Sequence, residues 1–569
     1  MVFKRKPSLA SKCGRTLIKR VLKSYSDKEK VLSGLLLLIF ILSGWKILSG
    51  NWEGRDIVNV VQGGHNYNEG LVGEIKHLNP VFADLNEVDR DITSLIFEGL
   101  SKYDLETGKV VENIATHTLD ETKTIYTFVL KEGLTWHDGE PITADDVYFT
   151  YHDVIQHPEF ENPILKSSFS GVTVEKIDEQ TITMALNETN SFFFTQLTVG
   201  LLPEHILKDV PITELDTHEF NQNPIGNGPY QVKGAYETHK DGTTEVKLSY
   251  YNNYWQATTP EVTEINFFTF PTYEDLLAGR GQVHGIARVP NYRIEETTEA
   301  RFTSYEYSLP QYTAIFLETD DDRLLKLNIR LAIQKALDKE AIIEAIGYDH
   351  LIDTPLLELN QEEWIYQPNS EEAMGALYDE GWNLDEETGF RLNDEGEILS
   401  FSLVRRSFPT NEKQEEVTAT TAQMIAEQLA EIGIMVTIET YENEAFQQKV
   451  TNREYDLLLY GQSLGYNLDT YSYWHSSQVS TGLNLSNYGN SNADFYIEAI
   501  RNSFGDDEGD KKEYLQKLAE AIKDDIPAVF LYTPTYYFLA DSRLEGIVTS
   551  NLLFPHDRFA NILDWKVIK

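Results

Sequence analysis

The stretch from 434 to 461 limits the possible folds most. "IMVTIETY" is β-branched and reads as a strand, "NEAFQQKV" as a helix, and "YDLLLYG" as a second strand. A strand, a helix and a strand in that order make a βαβ unit, which requires a parallel sheet and an α/β fold. Upstream, "LLKLNIRLAIQKALDKEAIIEAI" sets Leu327, Leu331, Ile333, Leu337 and Ile342 near helical spacing. A further helix is predicted from about 415 to 431, ending at Gly433, a C-cap residue. Residues 57–310 instead show short strand-like runs divided by turns, and 536–569 return to that pattern. The acidic, turn-rich "LDEETGFRLNDEGEI" predicts an exposed loop or hairpin. A chain of 569 residues exceeds one hydrophobic core and implies two to four domains. No repeat of 20–50 residues is present, which argues against a solenoid.

Charge is divided sharply along the chain. Residues 1–50 hold 11 basic and 2 acidic side chains, so with a formal net charge of −43 the remainder carries −52. A body that acidic repels phosphate, which excludes nonspecific nucleic-acid binding. Between the two lies the uncharged run Val31–Trp45, followed by Lys46. The basic leader in front of it places residues 1–30 in the cytoplasm and the acidic body outside. Fifteen residues fall short of the ~20 that span a bilayer, but Lys46 can snorkel and extend the run. The leader is long for a signal peptide, and no convincing small-residue cleavage site follows. Residues 31–49 are therefore expected to be an uncleaved transmembrane anchor rather than a signal. The single cysteine, Cys13, precedes the run. That excludes an intrachain disulfide, multi-cysteine metal sites and the usual lipoprotein anchor.

"WHDGEPITADDV", Trp136 to Val147, poses a sharper question, because His137 beside Asp138 has the makings of a metal site or an acid/base pair. Local chemistry favours a shape. "IYTFVL" before it reads as a strand, and Asp138-Gly139 is a turn pair. Pro141 stops the strand, and Thr143 with Asp146 forms a helix-start pattern. Elsewhere the 13 histidines are scattered, with none in a metal-binding helix pattern. There is no G-x-S-x-G, no P-loop and no G-x-G-x-x-G, and "GRGQVHG" follows a helix-like run and reads as a turn. Nothing here supports an enzyme, a metal or a cofactor.

Several segments in order resemble one family, the extracellular solute-binding proteins of ABC importers, in their oligopeptide- and dipeptide-binding branch. "LIFEGLSKYDLETGKVVENIA" is similar to that family's opening signature. "YTFVLKEGLTWHDGEPITADDVYFTY" resembles its most recognisable block. "NPIGNGPYQV" resembles its N-P-x-G-T-G-P-Y turn, with Asn227 where Thr is common. "YYNNYWQATTPEVTEINF", "LNIRLAIQKALDKEAII", "YDEGW" and "LDTYSYWHSSQ" follow in the family's order and cover almost all of 57–569. The resemblance implies an α/β, two-lobed periplasmic-binding-protein-like fold with an extra domain, here preceded by one transmembrane helix. Lobe I would be 57–97, 223–307 and 536–569, the second domain 98–222, and lobe II 308–535. It implies a monomer on the extracytoplasmic face that captures a peptide between its lobes and passes it to a membrane permease. An oligosaccharide or another small solute is the alternative on the same fold, and a secreted hydrolase of the same topology is a more remote one.

The resemblance also implies a site in the segment before "YSYWHSSQ". In well-known peptide binders of the family an Asp there pairs with the peptide's α-amino group. Here the position falls on Leu464, Gly465 or Tyr466, none of them acidic. Tyr466, Asn467, Asp469, Tyr471 and Trp474 are the expected ligand-binding residues, with Asp469 as the nearest replacement for the missing acid.

Overall fold

The computed structural model describes residues 66–569, apart from 257, 349, 361–363, 410, 467, 480–481, 506–507 and 569. The basic leader, the run Val31–Trp45 and therefore the expected anchor lie outside the described residues. Among those described, no helix is long and apolar enough to cross a membrane.

Three sheets organise the described chain. The largest has eight strands from separate stretches of sequence. In spatial order these are Phe302–Ser308, Thr535–Asp541, Gly285–Pro290, Asn66–Val72, Glu264–Phe270, Thr244–Tyr250 and Tyr230–Val232, with Glu237–Thr238 also paired to Thr244–Tyr250. The second has six strands, ordered His350–Leu351, Ala528–Thr533, Gln311–Leu317, Leu457–Ser463, Ser400–Arg406 and Met435–Tyr441. A four-stranded antiparallel sheet is built from Ala115–Leu119, Ile125–Leu130, Thr181–Ala185 and Thr173–Lys176. The chain crosses between the two larger sheets twice, at Leu309–Pro310 and at Pro534.

The βαβ reading is met with one addition. Met435–Tyr441 and Leu457–Ser463 do not pair directly; each runs parallel to Ser400–Arg406, which lies between them. The helix before Met435 is Glu412–Glu431, and Gly433 ends it at φ +85, a left-handed conformation that glycine adopts without Cβ strain. The long apolar run from 324 breaks into two helices, Leu327–Ala336 and Lys339–Ile346. Asp338 is the cause: its carboxylate accepts the Ala341 N–H and caps a new helix where the first would have continued. The acidic "LDEETGFRLNDEGEI" stretch contains the short antiparallel pairing of Asn383–Leu384 with Arg391–Leu392.

Strand periodicity explains how the six-stranded sheet is covered. Ile315, Leu317, Leu403, Leu457 and Leu459 pack with Ile333, Ile342, Ile425 and Leu429 in one apolar layer. Tyr312, Phe316, Val404, Leu458 and Phe530 pack with Trp474, Ile497, Leu518 and Ile522 in the other. Successive side chains alternate faces, so a sheet covered on both sides carries nearly continuous apolar runs. Around the eight-stranded sheet one core is shared with residues 98–222, from Tyr67 and Phe267 through Phe128, Trp136 and Tyr151 to Trp565.

"WHDGEPITADDV" holds a shape in every part. Trp136 is fully buried, and its backbone N–H donates to the Glu140 carbonyl at 2.8 Å across a tight turn with Gly139 at φ +93. The Thr143 hydroxyl accepts the Asp145 N–H, and the Asp146 carboxylate accepts the Thr143 N–H at 2.9 Å, a complete capping box. The ring of His137 faces backbone, with Nε2 2.9 Å from the Gly228 carbonyl and Nδ1 accepting the Gly226 N–H at 3.1 Å. Burial pushes the imidazole down to about 4, so it stays neutral and joins the 226–228 turn to this block.

Candidate functional site: the cavity at the strand ends

The strands Ser400–Arg406, Leu457–Ser463 and Ala528–Thr533 point the same way in the six-stranded sheet. From Ser400–Arg406 the chain goes first to Met435–Tyr441 on one side and then to Leu457–Ser463 on the other. Strand order therefore reverses there, and connections leave in opposite directions, opening a crevice at the carboxyl ends. Ligands of open α/β sheets bind in such crevices.

A cavity of about 290 Å³ lies there. Gly461, Gln462 and Ser463 form one wall, with Gln311, Tyr312 and Thr313 from the antiparallel neighbour beside them. Arg405, Arg406 and Phe408 close the next side, together with Gln414 and Thr418 of helix Glu412–Glu431. Tyr348, Tyr532, Pro534 and Tyr536 line it where the chain crosses between sheets. The lining carries two cationic side chains and no carboxylate. Arg405 is already engaged, with Nη2 2.5 Å from Glu415 Oε1. Arg406 is oriented by neutral groups: Asn443 Oδ1 accepts from its Nε and Nη2 at 2.9 and 2.6 Å, and the Phe408 ring lies 5.0 Å from its guanidinium. Its charge is fixed in direction but not neutralised by those contacts.

The residues expected from sequence to bind ligand are placed elsewhere, and none of the described ones lines this cavity. Trp474 is fully buried in the core, its ring 6.2 Å from Phe316, 5.8 Å from Phe530 and 6.3 Å from Tyr488. Asp469 is buried and paired with Arg501, whose Nε is 3.1 Å from Oδ2, and it accepts the Tyr471 N–H. Burial raises the Asp469 carboxyl while Arg501 opposes the rise. Tyr471 stacks on His475 at 4.3 Å and lies under the Arg501 guanidinium at the same distance. Asp469, Tyr471, His475 and Arg501 thus form one cluster packed on the 469–475 segment. Asn467 lies outside the described residues.

Tyr466 does something sequence reasoning missed: it crosses to the opposite body. Its hydroxyl donates to Asp557 and lies 3.0 Å from His556 Nε2, and its ring stacks on Tyr103 at 5.2 Å. Burial pushes Asp557 up to about 7 and His556 down to about 3, disfavouring charge on both. A second seam joins residues 189–192 to the end of helix Ser491–Arg501. The Ser191 N–H donates to the Arg501 carbonyl at 2.8 Å, and Phe192 is buried in the apolar layer of Trp474.

Cavity residues such as Gln311, Arg406 and Gln462 carried no sequence motif. The one available signal was positional, since Arg405-Arg406 and Gly461-Gln462-Ser463 close β-rich runs in a parallel sheet. Among the described residues no group of three or more His, Cys, Asp or Glu side chains is placed to hold a metal ion.

The described chain is thus a two-sheet α/β body with a cavity at the strand-order reversal of one sheet. Residues 109–483 match the bacterial extracellular solute-binding proteins, family 5 (middle region), and the chain belongs to that family. It is 26% identical to the oligopeptide-binding protein AppA of Bacillus subtilis over 547 residues, covering 91% of this chain and 94% of the relative. The structure of that protein in complex with a nonapeptide superposes with a TM-score of 0.69, covering 89% of this chain and all of that one. The ABC transporter substrate-binding protein CtaP of Listeria monocytogenes, 21% identical, shares the fold with a TM-score of 0.71, covering 89% of this chain and all of that one.

Proposed function

We propose that this chain is the solute-capturing subunit of an ABC importer and that its solute is a peptide. The observation that carries the reading is the cavity at the strand-order reversal, where Arg406 is aimed but not neutralised. A peptide's terminal carboxylate pairs with a guanidinium through two parallel bonds. Its main-chain amides match the side chain of Gln311. Likeness to an oligopeptide-binding protein supports the same class. In this reading lobe I is 57–97, 223–307 and 536–569, the second domain is 98–222, and lobe II is 308–535. The solute touches both lobes and so shifts the population toward the closed form that the permease recognises.

The test is calorimetry on Arg406→Gln with a peptide found bound to the purified protein by mass spectrometry. A charge-assisted bond contributes about 1.5–3 kcal/mol, so affinity should fall roughly 10- to 150-fold. The same peptide with an amidated C-terminus should bind both proteins alike. Equal binding of the free acid to both would remove Arg406 from the site. Recovery of an oligosaccharide instead would favour stacking on Tyr348, Tyr532 and Tyr536.

We also propose that Val31–Trp45 holds the protein on the extracytoplasmic face of the membrane. The mature chain should then fractionate with membranes and keep its N-terminus. A soluble protein beginning near residue 50 would refute this.

A further inference from the structure

No described residue of 98–222 lines the cavity, yet that stretch reaches into the body that holds it. The chain connects 98–222 with 308–535 only by way of the eight-stranded sheet, so the two meet through surfaces alone. One apolar core runs from 98–222 into the eight-stranded sheet, and the six-stranded sheet has cores of its own. Phe192 and Phe193, adjacent in sequence, are divided between them. Phe193 is buried in the core of its own domain, whereas Phe192 is buried in the layer of Trp474, Tyr488 and Ile497. Among the described residues it is the one member of 98–222 in that layer. Lys511 Nζ lies 4.4 Å from the centre of its ring. Beside it Ser191 meets the carboxyl end of helix Ser491–Arg501, where carbonyls run short of helical donors. Its N–H donates to the Arg501 carbonyl at 2.8 Å and its hydroxyl to the Ile500 carbonyl at 3.3 Å. Thr189 bonds Asn502, and Lys123 Nζ lies 5.0 Å from the centre of the Phe504 ring. The loop is held in place from its own domain: Asn190 Oδ1 accepts the Phe192 N–H at 3.0 Å, and the Tyr126 hydroxyl donates to the Asn190 carbonyl at 3.3 Å. Arg501 ties this seam to the segment that leaves the cavity wall, since its Nε is 3.1 Å from Asp469 Oδ2 and the wall ends at Ser463.

We propose that the second domain is the clasp of the capture cleft: lobe II closes onto residues 189–192 when a peptide binds, and Phe192 is the plug that enters it. The proposal rests on the peptide reading of the cavity and on the lobes assigned with it. Residues 98–222 share a core with the eight-stranded sheet and move with it, so opening parts the seam at 189–192. Water takes over both Ser191 bonds at little cost when the faces separate. The Phe192 ring has no such replacement, because opening returns its apolar surface to water. Phe192 thus favours the closed form and raises affinity without touching the solute. A ring that stayed in the Trp474 layer in both forms would add to stability and leave affinity unchanged.

Hydrogen exchange of the full chain in mild detergent, read by mass spectrometry on fragments that isolate the Ser191 amide, tests this. The probe is a mixture of randomised-sequence peptides of two to nine residues, and equilibrium dialysis measures its retention. Without peptide the Ser191 amide should exchange at least 100-fold faster than the amides of strand Ile125–Leu130, and saturating peptide should slow it at least tenfold. Phe192→Ala should weaken peptide binding about tenfold or more, and Phe192→Leu should restore most of the loss. If the alanine variant does not fold, the wild-type exchange still decides. A Ser191 amide as slow as the strand amides without peptide, or one unchanged by bound peptide, overturns the clasp and leaves peptide binding standing. Wild-type affinity in folded Phe192→Ala overturns it likewise. Retention of no peptide by the wild type overturns the peptide reading and, with it, a clasp that peptide closes.

Discussion

Arg558→Met should lower the unfolding free energy by about 3–5 kcal/mol, the cost of removing one partner from a buried charge network. Arg558 is almost fully buried near the C-terminus. It donates from Nε and Nη2 to Glu69 Oε1 at 3.2 and 3.0 Å, and from Nη1 to Asp91 Oδ1 at 2.9 Å. Glu69 sits on the central strand Asn66–Val72 and Asp91 on helix Glu87–Ile96, so one side chain ties the C-terminal segment to both. Burial would raise Asp91, but Arg288 and Arg558 hold it below the ordinary carboxylate range. Glu69, by contrast, is raised by burial despite Arg558. Without Arg558, Asp91 keeps Arg288, whereas Glu69 keeps only the Tyr67 hydroxyl. The deficit should therefore shrink on acidification. Above its unfolded pKa the stranded Glu69 costs stability as an anion, and as pH falls the folded state takes up the proton and the cost fades. Urea unfolding at pH 7.5 and pH 5 reads both effects. A loss below about 1 kcal/mol at pH 7.5 would show that the network relaxes or fills with water.

Trp474→Ala should cost about as much, roughly 3–5 kcal/mol, from lost apolar burial and the cavity left among Phe316, Tyr488 and Phe530. Its effect on capture should be small: affinity per folded molecule should stay within about twofold, because the ring lines no part of the cavity. Denaturant titration and calorimetry at a temperature where the variant remains folded separate the two. Unchanged stability with lost binding would place the indole in the cleft and overturn this reading.

Sequence patterns were most informative where cause and effect lie within a few residues. Thr143 and Asp146 show a capping box in the sequence and form one in the structure. Leu457–Ser463 and Met435–Tyr441 read as strands of a parallel sheet, and both run parallel to a third strand. That third strand, "SFSLVRR", went unread, and its end supplies Arg405 and Arg406 to the cavity. The split helix at Asp338 was missed because its apolar spacing continues through the break while its cap does not. The placement of the expected site residues escaped sequence reading for a different reason. Residues 466–474 lie on one short segment, but each side chain's fate depends on remote partners: Trp474 on Phe530, Asp469 on Arg501, and Tyr466 on Asp557.

The sequence by itself determined the α/β class, the turn at Asp138-Gly139, the helix stop at Gly433 and the acidic surface. Each depends on backbone sterics, local capping or simple charge. Only the tertiary structure decided that Gln311, Arg406, Gln462 and Tyr536 share a cavity, that Trp474 is core and that Tyr466 joins two bodies. Glu69 and Arg558 are 489 residues apart in the chain, and Tyr466 and Asp557 are 91 apart. Burial and partnership at such separations follow from how the sheets pack, and side-chain type and spacing along the chain do not encode them in any local pattern.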